Sequence, residues 1–242
     1  MSWALIADSS CNLRAYQPAT ADCAFALAPL KIVVAGEEYA DDAFLDVATL
    51  NHRVAAEPSA SGSSCPSAGE WAELFRLADN VIAITISANL SGSFEAAQMG
   101  RNLVMDEYAR DHDGQIAGKN IFVLDSKAAG GKLELIVQLL DRYLTNNPDA
   151  TFDQAVSYAE QLQASSQVLF SLSSYENLTK NGRMPKVVGA LASGLSIRML
   201  GTASAQVTIK VVAPTRGDKK TYRKIIETMR ADGRSEERRV GK

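Results

Sequence analysis

The sequence predicts an α/β fold in which a mostly parallel sheet is flanked by helices. Short apolar runs rich in β-branched residues alternate with segments whose apolar residues recur at helical spacing, which is typical of parallel sheets with crossover helices. The clearest run is Val-Ile-Ala-Ile-Thr-Ile at 81–86, and it predicts a buried strand. Similar runs at 3–7 and 121–124 predict two more strands of the same sheet.

The predicted helices follow these strands. Residues 67–70 and 151–154 fit the capping-box pattern, in which a hydroxyl residue and a Glu or Gln three positions later close a helix start. Two expectations concern less regular stretches. Residues 27–34 are predicted to form one apolar strand, whereas residues 57–68, rich in Ser, Pro and Gly, are predicted to form a loop.

The pattern changes after residue 162, which predicts two domains. We expect an N-terminal α/β domain at 1–162 and a second, incomplete α/β domain at 163–232. The second domain carries two predicted antiparallel strands at 196–200 and 206–212. The charged segment 233–242 is either a native solvated tail or a non-native extension.

Composition narrows the classes of function. The chain has 242 residues and a formal net charge of −3, so it has no overall basic field for nucleic acid. Its three cysteines form no Cys-x-x-Cys pair, which favours a reducing cytoplasm and predicts no disulfide framework and no metal site. The apolar run at 3–7 is too short for a signal peptide or a membrane span. We expect no cofactor.

Two hydroxyl-rich segments are the strongest candidates for a binding site. Residues 87–93, Ser-Ala-Asn-Leu-Ser-Gly-Ser, join a predicted strand to a helix start, and residues 63–67, Ser-Ser-Cys-Pro-Ser, lead into another. Helix N-termini offer unpaired N–H groups and the positive end of the helix dipole, and serine hydroxyls add donors. The segments are expected to face each other and to hold a small anion. Asp8-Ser9-Ser10, which ends the first strand, reads on its own as a capped turn.

Six motifs in this order resemble the DegV family of bacterial fatty-acid-binding proteins. The motifs are Asp8-Ser9-Ser10, Pro29-Leu30-Lys31 with Glu38 to Asp42, Ser63 to Ser67, Ser87 to Ser93, Asp125-Ser126-Lys127, and Leu178 to Arg183. The resemblance covers residues 1 to about 230. It implies a two-domain, non-enzymatic carrier that holds one long-chain fatty acid between its domains. FakB-type members present the carboxylate to a separate fatty acid kinase, which is dihydroxyacetone-kinase-like.

The resemblance also implies the site residues. The family's T-S-x-P motif falls on 63–66 and its S-S-x-L-S-G-T pattern on 87–93, with Ser for the usual Thr at 63, Ala for Ser at 88 and Asn for Gly at 89. The implied ligand-binding residues are Ser63, Ser64, Ser87, Asn89, Ser91, Gly92 and Ser93. Arg183 matches a family arginine that contacts the partner or the head group. The family's histidine near a C-terminal Gly-Pro-Gly has no counterpart in this sequence.

Two other functions stay open at this point. Ser91 lies between a strand and a helix as in a serine esterase, but its surroundings are not Gly-x-Ser-x-Gly, and the two histidines, His52 and His112, lie in polar contexts. A phosphate- or nucleotide-binding domain would also use helix N-termini. The sequence contains neither G-x-x-x-x-G-K-[ST] nor G-x-G-x-x-G.

Overall fold

The computed structural model describes residues 1–59, 61–172, 179, 181, 197–203 and 209–231. The chain divides into two compact units, Met1–Ser166 and Gln167–Lys242. Both contain helices and strands, so the predicted α/β class is confirmed. The predicted tail at 233–242 lies outside the described residues.

The first unit alternates strands and helices along the chain. Its strands are β1 (Trp3–Asp8), β2 (Cys23–Ala28), β3 (Lys31–Val34), β4 (Glu37–Ala40), β5 (Gly62–Ser64), β6 (Asn80–Thr85) and β7 (Asn120–Asp125). Its helices are α1 (Val47–Ala56), α2 (Ala68–Phe75), α3 (Ser93–Asp111), α4 (Gly131–Asn146) and α5 (Phe152–Ser165).

The main sheet is a parallel one with the strand order β2-β1-β6-β7. β2 lies on one side of β1 and β6 lies on the other side, so the direction in which strands are added to the sheet reverses between β1 and β6. In open α/β sheets, ligands bind outside the carboxyl ends of the strands at such a switch point. The loops that follow β1 and β6 are therefore the first place to look for a site.

The core of this unit has two layers, one on each face of the main sheet. Alternate residues of a strand point to opposite faces, so Ala4 and Ile6 pack on one side and Leu5 and Ala7 on the other. Helices α2 and α3 cover the first face, and α4 and α5 cover the second. β6 is buried along its whole length, as its apolar run predicts.

A small antiparallel sheet with the order β4-β3-β5 lies beside the main one, and it corrects two predictions. Residues 27–34 do not form one strand, because Pro29 lacks an N–H and separates β2 from β3. Residues 57–68 are not wholly a loop. Their short stretch Gly62–Ser64 pairs with β3 through the backbone, which needs no apolar side chains.

Both predicted capping boxes are confirmed. In α2 the Ser67 hydroxyl accepts from Glu70 N at 3.2 Å, and the Glu70 carboxylate accepts from Ser67 N at 2.7 Å. The box before α5 has the same reciprocal bonds. Helices α2 and α3 pack tightly at Gly100, where a Cβ would lie 2.7 Å from the Ala68 carbonyl oxygen and 2.8 Å from the Trp71 Cβ.

The second unit contains an antiparallel sheet with the order β10-β9-β8. Its described elements are β8 (Leu169–Phe170), β9 (Ile197–Ala203), β10 (Ile209–Arg216) and α6 (Asp218–Ala231). The antiparallel pairing of the two predicted strands is confirmed, but β9 ends at Ala203 where the prediction had 200, and β10 begins at Ile209 where the prediction had 206. Within the described ranges, no helix combines the length and the apolar composition needed to cross a bilayer.

Candidate functional site

Four loops meet at the carboxyl edge of the main sheet, because its four strands are parallel. They follow β2, β1, β6 and β7, and backbone and hydroxyl groups join them. The joining hydrogen bonds run from Leu30 N to Ser9 Oγ (2.9 Å), from Gly130 N to Ser10 O (3.0 Å), from Ser87 N to Ala128 O (2.8 Å) and from Ala88 N to Asp125 Oδ1 (3.2 Å). This edge is therefore a connected layer of polar groups over a buried sheet.

Asp8 lies at the centre of this edge, at the end of β1, and is fully buried. Its Oδ1 accepts from Ser10 N at 3.2 Å and from the Ser10 hydroxyl at 2.6 Å. Its Oδ2 accepts from Ile86 N at 2.7 Å and from the Ser93 hydroxyl at 2.8 Å. One carboxylate thus joins the end of β6 to the first residue of α3.

Burial raises the pKa of the Asp8 carboxyl above its ordinary value of 3.8, although bonds from Ser10, Ile86 and Ser93 act in the opposite direction. A buried carboxylate is costly unless donors surround it, and here four donors converge on its two oxygens. The sequence alone favoured a capped turn at Asp8-Ser9-Ser10. The turn is present, but Ile86 and Ser93 make Asp8 the centre of a larger network.

Residues 87–92, which we call the head-group loop, are held by their own hydrogen bonds. The Ser87 carbonyl accepts from Leu90 N at 2.8 Å and from Ser91 N at 3.2 Å. The Ser91 hydroxyl accepts from Ser93 N at 3.3 Å. These bonds form a compact turn that ends at the N-terminus of α3, with Gly92 as the residue before the helix.

Ser87 is the residue of this loop with the most unusual environment. Its side chain is 1% exposed, and its hydroxyl has no hydrogen-bond partner among the described residues. A buried hydroxyl without a partner costs free energy, so such groups call for an explanation. A bound water molecule or a ligand oxygen at the carboxyl edge of the sheet would each supply a partner.

The second serine segment approaches the first. Cys65 Sγ lies 3.5 Å from the position that a Cβ on Gly92 would occupy. The expectation that the two segments face each other is therefore confirmed at this contact. Ser63 is exposed on β5, and the Ser64 hydroxyl donates to Glu38 Oε1 at 3.4 Å.

The remaining predicted site residues have different positions. Asn89 and Gly92 are exposed on the head-group loop, and Ser93 is buried, with its hydroxyl donated to Asp8. Arg183 lies outside the described residues, so its role stays a prediction. In the described parts of the chain, no group of three or more His, Cys, Asp or Glu residues could hold a metal ion.

Comparison with known proteins identifies relatives over nearly the whole chain. The model of the family described as "Uncharacterised protein, DegV family" matches residues 2–241. A DegV domain-containing protein of Streptococcus gordonii is 35% identical over 221 residues, which cover 91% of this chain and 75% of that protein. Another, from Streptococcus pneumoniae strain R6, is 34% identical over 238 residues, which cover 97% of this chain and 81% of the relative.

Solved structures of related proteins have the same fold as this chain. The Fatty Acid Kinase (Fak) B3 protein of Streptococcus pneumoniae, loaded with linoleic acid, is 33% identical with a TM-score of 0.87, over 96% of this chain and 79% of that one. A DegV family protein of Eubacterium eligens, loaded with heptadecanoic acid, is 28% identical with a TM-score of 0.83, over 95% and 78% of the two chains. The family match, the relatives and the shared fold agree, and the chain belongs to the DegV family.

Proposed function

We propose that this protein binds one long-chain fatty acid and holds its carboxylate at the head-group loop and the facing Ser63–Ser67 segment. The observation that carries the proposal is the likeness to the linoleic-acid-loaded Fatty Acid Kinase (Fak) B3 protein, at 33% identity and a TM-score of 0.87. The Eubacterium eligens structure, loaded with heptadecanoic acid, supports the same class of ligand.

The hydrocarbon chain supplies most of the affinity in this proposal. Burial of an acyl chain of about sixteen carbons contributes roughly 12 kcal/mol before the cost of lost motion, at about 0.8 kcal/mol for each CH₂ group. That gain is lost if the carboxylate enters an apolar site without donors, because burial of an unpaired charge costs more than the chain returns. The site must therefore contain residues that donate hydrogen bonds to the carboxylate.

Neutral donors suit this head group. The segments 63–67 and 87–93 contain neither Lys nor Arg. Two cations of neighbouring segments are engaged elsewhere, since Lys31 pairs with Glu70 at 3.2 Å and Arg14 pairs with Asp41 at 3.1 Å. Hydroxyls and the N-terminus of α3 can bind a carboxylate without placing a full positive charge beside it. The buried, unpartnered Ser87 hydroxyl is the donor that best fits this role.

A carboxylate bound by neutral donors keeps its nucleophilic oxygen available. We propose that the protein presents this oxygen to a fatty acid kinase of the dihydroxyacetone-kinase-like type, which transfers phosphate to it and forms an acyl-phosphate. The protein then acts as a carrier and not as an enzyme, and Arg183 contacts the partner or the head group. A cytoplasmic location fits this role.

The geometry favours the carrier over a serine esterase. His112 follows the C-terminus of α3, a helix of 19 residues, whereas Ser91 precedes its N-terminus. A helix of this length spans about 28 Å, which is far beyond hydrogen-bond reach. His112 is therefore not a general base for Ser91. His52 is exposed on α1. The sequence also contains no phosphate-binding motif that would indicate a nucleotide site.

Titration of the full chain with linoleic acid tests the binding step, and a second assay tests presentation. We expect saturable binding of one fatty acid per chain, and phosphate transfer to the bound acid when a fatty acid kinase and ATP are added. Equal binding of a long-chain alcohol of the same length would contradict the role of the head-group site. Failure of phosphate transfer with intact binding would contradict only the kinase step.

A further inference from the structure

Asp8 holds both ends of the head-group loop. Its Oδ2 accepts from Ile86 N, the residue just before the loop, and from the hydroxyl of Ser93, the residue just after it. The same carboxylate anchors the turn after β1 through the N–H and the hydroxyl of Ser10. Both ends of the loop are therefore held at one buried side chain, in addition to the bonds from Ser87 N to Ala128 O and from Ala88 N to Asp125 Oδ1 within the loop.

We infer that Asp8 is the positioning residue of the head-group site, and that Ser93 is its partner and not a donor to the ligand. This inference rests on the proposed function, because the loop that Asp8 holds carries the proposed carboxylate donor Ser87. A serine hydroxyl has one hydrogen, and the Ser93 hydrogen is directed to Asp8 at 2.8 Å. Ser93 is fully buried, which agrees with a supporting role.

Pre-organisation explains why a costly buried carboxylate occupies this place. Donors that must bind a carboxylate act best when their positions are set before the ligand arrives, because ordering them at the time of binding reduces affinity. Four hydrogen bonds to one carboxylate give a rigid connection between β1, β6 and α3. Ser87 follows Ile86 directly, so displacement at Ile86 displaces the proposed donor.

Conservative substitutions separate this role from general stability. Asp8→Asn keeps the shape but replaces one oxygen by an NH₂ group, so the backbone N–H of either Ser10 or Ile86 then faces another donor. Ser93→Ala removes a single bond to Asp8. Ser93→Thr restores the hydroxyl and matches the family pattern at this position. Asp141→Asn is the matched control, because Asp141 is also a buried carboxylate with several donors, but it holds residues 16–20 and not the head-group loop.

The experiment measures two quantities in the full chain. The first is the dissociation constant for linoleic acid. The second is the hydrogen-exchange rate of the Leu90 and Ser91 amides in the ligand-free protein, because both amides donate to the Ser87 carbonyl and report on the order of the loop.

We expect Asp8→Asn and Ser93→Ala to weaken binding by about tenfold or more and to accelerate exchange at Leu90 and Ser91 by a similar factor. Ser93→Thr and Asp141→Asn are expected to stay within about twofold of the unmodified protein in both measurements. Folded Asp8→Asn and Ser93→Ala proteins that match the unmodified protein in binding and exchange would overturn the inference. If Asp8→Asn does not fold, the pair Ser93→Ala and Ser93→Thr gives the same decision.

The two measurements also distinguish the failure of this inference from the failure of the proposed function. Absence of linoleic acid binding by the unmodified protein would contradict the proposed function. The exchange rates would then still decide whether Asp8 orders the loop, since they need no ligand. Normal binding with unchanged exchange in both variants would overturn the role of Asp8 alone.

Discussion

The hydroxyl of Ser93 donates a 2.8 Å hydrogen bond to Oδ2 of Asp8, although the two residues are 85 positions apart in the chain. The bond joins the start of α3 to the end of β1 inside a buried region, directly below the head-group loop. It also indicates that Ser87 and Ser93 have different roles. Ser93 supports the loop, and the Ser87 hydroxyl, which has no partner within the described residues, is the donor that we propose for the ligand.

This division predicts opposite effects for two buried serines. Ser87→Ala removes a hydroxyl without a described partner, so we expect little loss of stability but weaker linoleic acid binding, by about tenfold. Ser126→Ala removes a buried hydroxyl that accepts from Ala128 N and donates to Ala128 O, each at 3.2 Å, so we expect a stability loss of about 1 kcal/mol. We expect a smaller loss of binding than in Ser87→Ala, because Ser126 acts only through Ala128, whose carbonyl accepts from Ser87 N. Urea unfolding and fatty acid titration measure the two effects. Equal binding losses in both variants would contradict the assignment of Ser87.

Cys65 is predicted to report on ligand binding. Burial raises the pKa of Cys11 to about 11 and that of Cys23 to about 12, so at mildly alkaline pH neither thiol forms much thiolate. We expect iodoacetamide to modify Cys65 first, and linoleic acid to slow that modification because Cys65 lies against Gly92 of the head-group loop. Peptide mapping by mass spectrometry gives the rates. A rate at Cys65 that does not change with saturating linoleic acid would count against binding at this loop.

Asp8 is predicted to make the free energy of unfolding depend on pH in the acidic range. Burial raises the pKa of Asp8 in the folded state above its ordinary value of 3.8. Between these two pKa values the folded protein holds a proton that the unfolded chain has lost, so the free energy of unfolding falls as pH rises through this window. Urea unfolding at a series of acidic pH values gives the free energy of unfolding of the unmodified protein and of Asp8→Asn. The value for the unmodified protein minus that for the variant isolates the effect and should fall as pH rises. A difference that rises with pH would contradict it.

The contact between α2 and α3 predicts a steric effect at Gly100. Gly100→Ala places a Cβ 2.7 Å from the Ala68 carbonyl oxygen and 2.8 Å from the Trp71 Cβ, so the helices must separate. We expect a stability loss of about 1–3 kcal/mol. Gly69→Ala on α2 is the matched control, since its Cβ would meet only Ser67 Oγ at 3.9 Å. That variant should gain up to about 1 kcal/mol in urea unfolding. Destabilisation of equal size at both positions would contradict the packing argument.

The sequence predicts three of the four strands of the main sheet because local patterns determine them, whereas β2 overlaps the predicted strand at 27–34 by only two residues. The continuous apolar runs of β1 and β6 need burial on both faces, which the two central strands of a covered parallel sheet have. The similar run of β7 forms the edge strand beside β6. The capping boxes are also predictable, because each depends on four consecutive residues. β5 is not predictable in this way, because Gly62–Ser64 has low strand propensity and pairs with β3 through backbone groups alone.

The candidate site was predictable only in part, for the same reason. Strand-to-helix junctions rich in serine are visible in the sequence, but the order of the parallel strands does not explain the approach of Cys65 to Gly92, because Cys65 follows β5 of the small antiparallel sheet. The role of Asp8 depends on Ile86 and Ser93, which are 78 and 85 residues away. No periodicity or short motif encodes such contacts, so the turn pattern at Asp8 was the only local signal.

Native mass spectrometry of the gently purified protein tests the central claim most directly. The account predicts a complex whose added mass equals that of one long-chain fatty acid, and loss of that mass after extraction with organic solvent. A retained nucleotide, or a protein that carries no added mass even after incubation with linoleic acid, would contradict the account.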